Sequence, residues 1–115
     1  TKPGTTRASF EAALAAGAVA GTLNRQVSAD GDFFFLAGRT VHALGKGCLL
    51  YEVQQTCDVT FRVDDWGRVG LDGKPRPLHV RESLETIDFN ASGGGARRSA
   101  TDAHRLERCR CGARI

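Results

Sequence analysis

Two short stretches near the middle of the chain alternate with a period of two, and they limit the fold more than any other feature. In CLLYEVQQ, residues 48–55, odd and even positions fall on opposite faces of a strand, so Glu52 and Gln54 share a face. In VTFRV, residues 59–63, Arg62 falls on the face opposite to the apolar side chains. This spacing predicts β-strands, because a helix would repeat its apolar residues every three or four positions.

Turn signals surround these stretches and extend the predicted β-region. DFFFL follows the turn sequence ADGD, and DDWGRVGLDGKPRP places D-G and K-P signals after the second stretch. One or two helical turns are predicted around Glu82–Ile87. Short strands between glycine-containing turns favour a sandwich or barrel, so residues 27–89 are predicted to be mainly β.

The first 26 residues follow a different pattern. Phe10, Ala13, Leu14 and Gly17 recur at helical spacing behind Thr6, whose hydroxyl is a candidate N-cap. The sequence therefore predicts a short N-terminal amphipathic helix and a connector, which together make residues 1–26 a lead-in to the β-region.

The chain ends in a basic stretch without periodicity. The net charge is +3, of which the stretch from Arg97 to Ile115 carries +4, so residues 1–96 carry −1. The polar, Arg/Gly-rich composition of residues 90–115 predicts a disordered tail. Because the positive charge belongs to the tail and no aromatic residues interleave with it, a nucleic-acid partner is not expected.

Length and cysteine use indicate the kind of protein. A chain of 115 residues makes one small domain, and its four cysteines do not form a disulfide framework. No apolar run approaches the length of a membrane span, and AALAAGAVAG lacks the basic leader and bulky apolar centre of a signal peptide. We expect a cytoplasmic protein without membrane association.

Residue types alone suggest several candidate site residues and leave alternatives open. His42 lies in GRTVHALGKG, where glycines on both sides allow close approach, so it is either a metal ligand or an ordinary loop histidine. Glu52 would be costly to bury without a cation, which favours a nearby metal or an ion pair with Arg62. Lys46 lies between two glycines but lacks the spacing of a phosphate loop.

A more specific signal comes from four pieces that occur in order between Gly31 and Phe89. They are HALGKG, YEVQQTCD, TFRVDDWGR and DGKPRPLH. Together they resemble the class I mannose-6-phosphate isomerases, especially the compact bacterial form. The resemblance implies a cupin-type jelly roll, present here as a partial barrel, and an enzyme of carbohydrate metabolism. It also implies a zinc ion and the interconversion of mannose 6-phosphate and fructose 6-phosphate.

The resemblance also implies roles for particular residues. His42 corresponds to a zinc ligand of the family and Arg62 to a catalytic residue, whereas Glu52, Gln54 and Lys46 are only candidates for lining the substrate pocket. The family's other zinc ligands fall upstream of residue 1, so we expect little activity from this chain alone. A partial barrel would expose strand edges and favour a homo-oligomer. The alternative is a non-catalytic cupin module that binds a sugar phosphate or a partner chain.

Overall fold

A computed structural model describes residues 1–57 and 59–91 and the backbone of Arg97–Arg98. Its elements, in chain order, are helix α1 (Arg7–Ala15), a 3₁₀ helix (Val19–Thr22), strand β1 (Asp32–Phe33), helix α2 (Val80–Thr86) and strand β2 (Arg97–Arg98). The two strands pair antiparallel, with Asp32 opposite Arg98 and Phe33 opposite Arg97.

Helix α1 forms where the sequence predicts it, and local hydrogen bonds fix both of its ends. The Oγ of Thr6 accepts from the backbone N–H of Ser9 at 3.1 Å, and the Oγ of Ser9 accepts from the N–H of Thr6 at 2.9 Å. This reciprocal pair satisfies two N–H groups that the first turn cannot pair internally. Gly17, at φ +66°, ends the helix, because its left-handed backbone turns the chain away from the helix axis.

Helix α2 confirms the helical turns predicted near residues 82–87. Its C-terminal end is tied to the segment before His42, since Arg39 Nε donates to the carbonyl of Thr86 at 2.9 Å. The carbonyl of Arg39 in turn accepts from the N–H of Asp88 at 3.0 Å. The first bond satisfies a carbonyl that the end of the helix leaves unpaired, and both bonds hold the two segments together.

The core lies between the helical elements. Its buried members are Phe10, Val19, Leu84 and Ile87, and Phe89 packs edge-on against Phe10 with ring centroids 5.5 Å apart. The half-buried residues around this cluster are Leu14, Leu23, Val41, Val63 and Phe89. Two of them, Val41 and Val63, come from non-helical segments that are thereby held against the core.

The prediction of a mainly β protein with a cupin-type jelly roll, present as a partial barrel, is wrong for this structure. Residues 48–55 and 59–63 contain no strand in the part of the chain that is described, and beyond β1–β2 only an isolated bridge joins Val69 and Pro75. A strand exists only where a neighbour pairs with its backbone groups. Without such a neighbour the alternation in residues 48–55 leaves its apolar side chains in solvent: Leu49 is 103% exposed and Tyr51 92%.

The predicted division of the chain into residues 1–26, 27–89 and 90–115 stays a prediction. The expected disordered tail, residues 90–115, falls outside the described residues except for Asn90, Ala91 and the backbone of Arg97–Arg98. Among the described residues, no helix is both long enough and apolar enough to cross a bilayer.

Candidate functional site

A cavity of about 180 Å³ lies beside the core, where the segments 41–42 and 60–66 meet helix α2. Val19, Leu23 and Ile87 contribute apolar walls. The polar or charged residues that line it are His42, Thr60, Arg62, Asp64 and Ser83. Pockets for small molecules usually measure about 300–1,000 Å³, so this cavity is the size of part of such a site.

The proton of the His42 ring is placed by a short local contact. Its Nδ1 lies 2.9 Å from the carbonyl oxygen of Thr40, a residue only 7% exposed. A carbonyl can only accept, so Nδ1 must carry the hydrogen, and in the neutral ring Nε2 then holds the lone pair. Metal-ligating histidines commonly use this arrangement, because a second hydrogen bond orients the ring. His42 is exposed, so its Nε2 is able to meet a ligand or metal.

Arg62 is half-buried and is held by three hydrogen bonds. Its backbone N–H donates to His79 Nδ1 at 3.2 Å, and its carbonyl accepts from the backbone N–H of His79 at 2.7 Å. One guanidinium nitrogen donates to the carbonyl of Pro77 at 3.4 Å. The next residue, Val63, packs on the core. Both the backbone and the charged group of Arg62 are therefore positioned.

The cavity brings together the two residues to which the resemblance assigns roles. His42 and Arg62 both line it, and their neighbours Val41 and Val63 both pack against the same core cluster. Apolar side chains next to the two polar ones thus hold them at one edge of the core. The roles themselves, in metal binding and in catalysis, remain predictions.

The other three candidates do not line this cavity. All three are exposed: Lys46 lies in a turn, and Glu52 and Gln54 lie in the following segment, which has no regular secondary structure. The ion pairs between described residues are Arg76–Asp65 and Arg81–Glu85. The pair of Glu52 with Arg62, one of the alternatives left open by the sequence, is not among them.

The described residues do not form a zinc site. None of them belongs to a group of three or more histidine, cysteine, aspartate or glutamate residues arranged to hold a metal ion. A catalytic zinc ion needs about three protein ligands. In the described part of the chain, His42 therefore offers one prepared donor and no complete set.

Sequence reasoning missed an ion pair that closes the loop next to the cavity. Asp65 is only 8% exposed and forms a bidentate pair with Arg76, whose Nε donates to Oδ2 at 2.6 Å. The hydrogen bond from Arg76 lowers the pKa of Asp65, and burial partly opposes that effect. The D-G turn in the sequence was the available signal, because it brings the two ends of the loop together.

Asp64 and Trp66 shape the rim of the cavity. Asp64 Oδ1 accepts from the backbone N–H groups of Asp65 and Trp66 at 2.6 and 2.9 Å. Trp66 adopts a left-handed backbone with φ +49°, which is uncommon for a bulky side chain. Its ring is half exposed, and the guanidinium carbon of Arg68 lies 5.9 Å from the ring centroid. The carboxylate of Asp64 thus holds a tight turn from which Trp66 lines the cavity.

Comparison with known proteins gives three clear relatives. The chain is 48% identical over 58 residues to mannose-6-phosphate isomerase ManA of Bacillus subtilis, covering 50% of this chain and 18% of that protein. It is 42% identical over 57 residues to the mannose-6-phosphate isomerase of Streptococcus mutans, covering 50% and 18%. A B. subtilis protein named "Probable mannose-6-phosphate isomerase GmuF" is 39% identical over 82 residues, covering 71% and 26%.

These likenesses concern part of each relative. The chain spans about a fifth to a quarter of the length of the relatives it matches. No family model and no solved structure matches it. The resemblance read from the sequence is nevertheless confirmed, since half or more of this chain is homologous to a segment of the mannose-6-phosphate isomerases.

Proposed function

We propose that this chain forms part of the active site of a mannose-6-phosphate isomerase, in which Arg62 is a catalytic residue and His42 a zinc ligand. The observation that carries the proposal is that both residues line one cavity, although the segments that bear them are separate in sequence. The similarity to proteins with this name supplies the reaction. The substrates would be sugar phosphates, mannose 6-phosphate and fructose 6-phosphate.

Arg62 suits the charge that this reaction develops. Aldose–ketose isomerisation moves a proton between C1 and C2 and passes through an enediol-like species, whose oxygens gather negative charge. A guanidinium stays cationic and presents several N–H donors in a fixed plane, so it stabilises such oxygens or orients the sugar. Arg62 is a poor proton acceptor for the same reason, so the base must be another group.

His42 would contribute one zinc ligand through Nε2. A bound zinc ion supplies Lewis acidity that polarises substrate oxygens. The described residues give one donor where about three are required, so no step of the reaction is assigned to the metal here. A complete zinc site requires donors from outside the described residues.

The proposal also covers the other candidate pocket residues, the oligomeric state and the cellular location. Glu52, Gln54 and Lys46 would line the substrate pocket only if their extended segment covered the cavity in the assembled enzyme. Pairing of exposed extended segments in a homo-oligomer would be one way to achieve this. A cytoplasmic location completes the proposal, because sugar phosphates are intracellular metabolites.

The alternative function is non-catalytic binding of a sugar phosphate or a partner chain. One observation favours it: Leu49, Tyr51 and Val53 are 79–103% exposed. A segment that adds to the sheet edge of another chain binds through its main-chain hydrogen bonds, and its side chains fill pockets on the partner.

Metal content and turnover, measured together on the same samples, distinguish these functions. The purified chain, His42→Ala and Arg62→Ala are compared for zinc per chain and for conversion of mannose 6-phosphate, with Arg81→Ala as the control arginine. Arg81 is a suitable control because it is exposed on α2 and paired with Glu85.

The described part of the chain offers only one zinc donor, so zinc and turnover are expected where a second copy completes the site. There His42→Ala should lose the zinc, and Arg62→Ala should lose turnover while it keeps the zinc. Equal zinc in wild type and His42→Ala would contradict the ligand role. Full turnover in Arg62→Ala would contradict the catalytic role. Sugar-phosphate binding without turnover, weakened by Arg62→Ala, would establish the alternative.

A further inference from the structure

We propose that His79 is the positioning residue of this site: its ring and backbone hold Arg62 at the cavity without touching the substrate. The inference rests on the proposed function of Arg62 but concerns a residue to which neither the resemblance nor the relatives' names give a role. It arises from the contacts of the segment 77–79, which accepts or supplies every hydrogen bond described for Arg62.

The backbone of Arg62 is paired on both sides by one residue. Its N–H donates to the His79 ring at 3.2 Å, and its carbonyl accepts from the His79 backbone N–H at 2.7 Å. Two bonds to one partner fix the position and rotation of the Arg62 backbone, from which the guanidinium projects. The guanidinium is then oriented by the carbonyl of Pro77, two residues earlier.

The ring of His79 must be in one particular proton state to do this. A backbone N–H can only donate, so Nδ1 of His79 must be unprotonated and its hydrogen must lie on Nε2. This is the reverse of His42, whose Nδ1 carries the hydrogen toward Thr40. The structure thus assigns opposite tautomers to two histidines, one at the cavity and one behind it.

His79 also connects Arg62 to the opposite wall of the cavity. It is the N-cap residue of α2, and Ser83 N–H donates to its carbonyl at 2.9 Å. Ser83 and Ile87 of that helix line the same cavity as Arg62. The ring of His79 lies near Phe61, with centroids 6.1 Å apart. Moving His79 would therefore change the distance between Arg62 and the helical wall.

Two substitutions separate the acceptor of the ring from its bulk. His79→Phe keeps an aromatic ring beside Phe61 but has no acceptor, whereas His79→Asn loses the ring and keeps an acceptor oxygen near the place of Nδ1. Both retain the backbone N–H that bonds the carbonyl of Arg62. The experiment uses the full ¹⁵N-labelled chain, with Arg62→Ala as the reference for loss of the site.

The first readout is independent of ligand binding. We expect the His79 ring nitrogens to show the Nε2–H tautomer, and exchange of the Arg62 amide hydrogen to be about tenfold faster in His79→Phe but not in His79→Asn. The second readout is the affinity for mannose 6-phosphate, which should fall about tenfold in His79→Phe and less than about threefold in His79→Asn.

Each other outcome has a definite meaning. A proton on Nδ1 of His79, or equal amide exchange in all variants, would overturn the hydrogen bond and with it the positioning role. Unchanged affinity in His79→Phe, with affinity lost in Arg62→Ala, would overturn the positioning role and leave the proposed function intact. Unchanged affinity in Arg62→Ala would overturn the proposed function, while the amide and tautomer signals would still decide whether His79 holds Arg62.

Discussion

Apolar residues are buried in the helical part of this molecule and exposed in its non-helical segment 48–55. Helices α1 and α2 bury Phe10 and Leu84, which are 0% and 6% exposed, in a common core. The extended segment 48–55 leaves Leu49 and Tyr51 almost fully exposed. A helix pairs its backbone groups within itself, whereas an extended segment pairs them only with a neighbour. Local sequence is therefore sufficient for the helices and insufficient for the strands.

The candidate site lies where these two parts meet. Val41 and Val63 belong to non-helical segments but pack against the helical core, and each is adjacent to a site residue. The positions of His42 and Arg62 are thus set by the core, because it anchors the adjacent Val41 and Val63. Residues 46–54, which have no such anchor, do not line the cavity.

The largest expected difference between the two parts is in the effect of truncating an apolar side chain. Phe10→Ala should lower the free energy of unfolding by about 3–5 kcal/mol, because it opens a cavity in the core and removes the contact with Phe89. Leu49→Ala should change it by less than about 0.5 kcal/mol, since that side chain is exposed. Urea unfolding followed by circular dichroism measures both.

If Leu49→Ala lowered the free energy of unfolding by several kcal/mol, the predicted difference between the two parts would be wrong. It would mean that residues 48–55 pack against something in solution, and the unfolding midpoint should then depend on protein concentration if that partner is a second copy.

A smaller effect, of opposite sign, is expected inside the helical part. Ser83 is 0% exposed and its Oγ has no hydrogen-bond partner among the described residues. A buried unpaired hydroxyl is unfavourable and alanine is the better helix former, so Ser83→Ala should raise the free energy of unfolding by about 1 kcal/mol.

Ser9→Ala is the matched control for this gain, because Ser9 also lies on a helix but its hydroxyl is bonded in the capping box. It should lower the stability instead. A loss of stability in Ser83→Ala would show that its hydroxyl does bind a partner, such as a water molecule in the cavity.

The smallest expected effect concerns the ion pair between Asp65 and Arg76, which holds its loop closed by charge. The hydrogen bond from Arg76 lowers the pKa of Asp65, so folding favours the ionised carboxylate. This contribution is present above the unfolded pKa of about 4 and is lost as the pH falls through the lower pKa of the folded state. Asp65→Asn should make the unfolding midpoint less sensitive to pH in that window.

The same acid unfolding series on Asp30→Asn, at an exposed turn, controls for the removal of one carboxylate. An acid profile of Asp65→Asn that matches the wild type would contradict the assigned role of the ion pair.

The sequence predicted those features whose cause is local. The hydroxyl of Thr6 and the spacing behind it indicated α1, because caps and helical periodicity act within a few residues. One or two helical turns were also predicted around Glu82–Ile87, where α2 lies. The alternation in residues 48–55 predicted strands wrongly, since alternation describes a face and not the neighbour that a strand requires.

The site residues, too, could be predicted only where their cause is local. His42 and Arg62 came from sequence motifs, and their shared cavity then emerged from packing that no local pattern reveals. The parity argument for Glu52 and Gln54 depended on a strand that does not form in the described chain. The pairing of Asp65 with Arg76 had only the D-G turn as its signal, and the pairing of His79 with Arg62 had none, because it exists only once the intervening loop has closed.

The central claim is that His42 and Arg62 belong to one sugar-phosphate site beside the helical core. Its most direct test is a titration of the ¹⁵N-labelled chain with mannose 6-phosphate, with backbone amide shifts followed by NMR and Arg62→Ala measured in parallel. We expect saturable amide chemical-shift changes concentrated on residues 41–42, 60–66 and 83, and we expect them to be lost in Arg62→Ala. Shifts confined to other residues, or shifts that persist unchanged in Arg62→Ala, would contradict it.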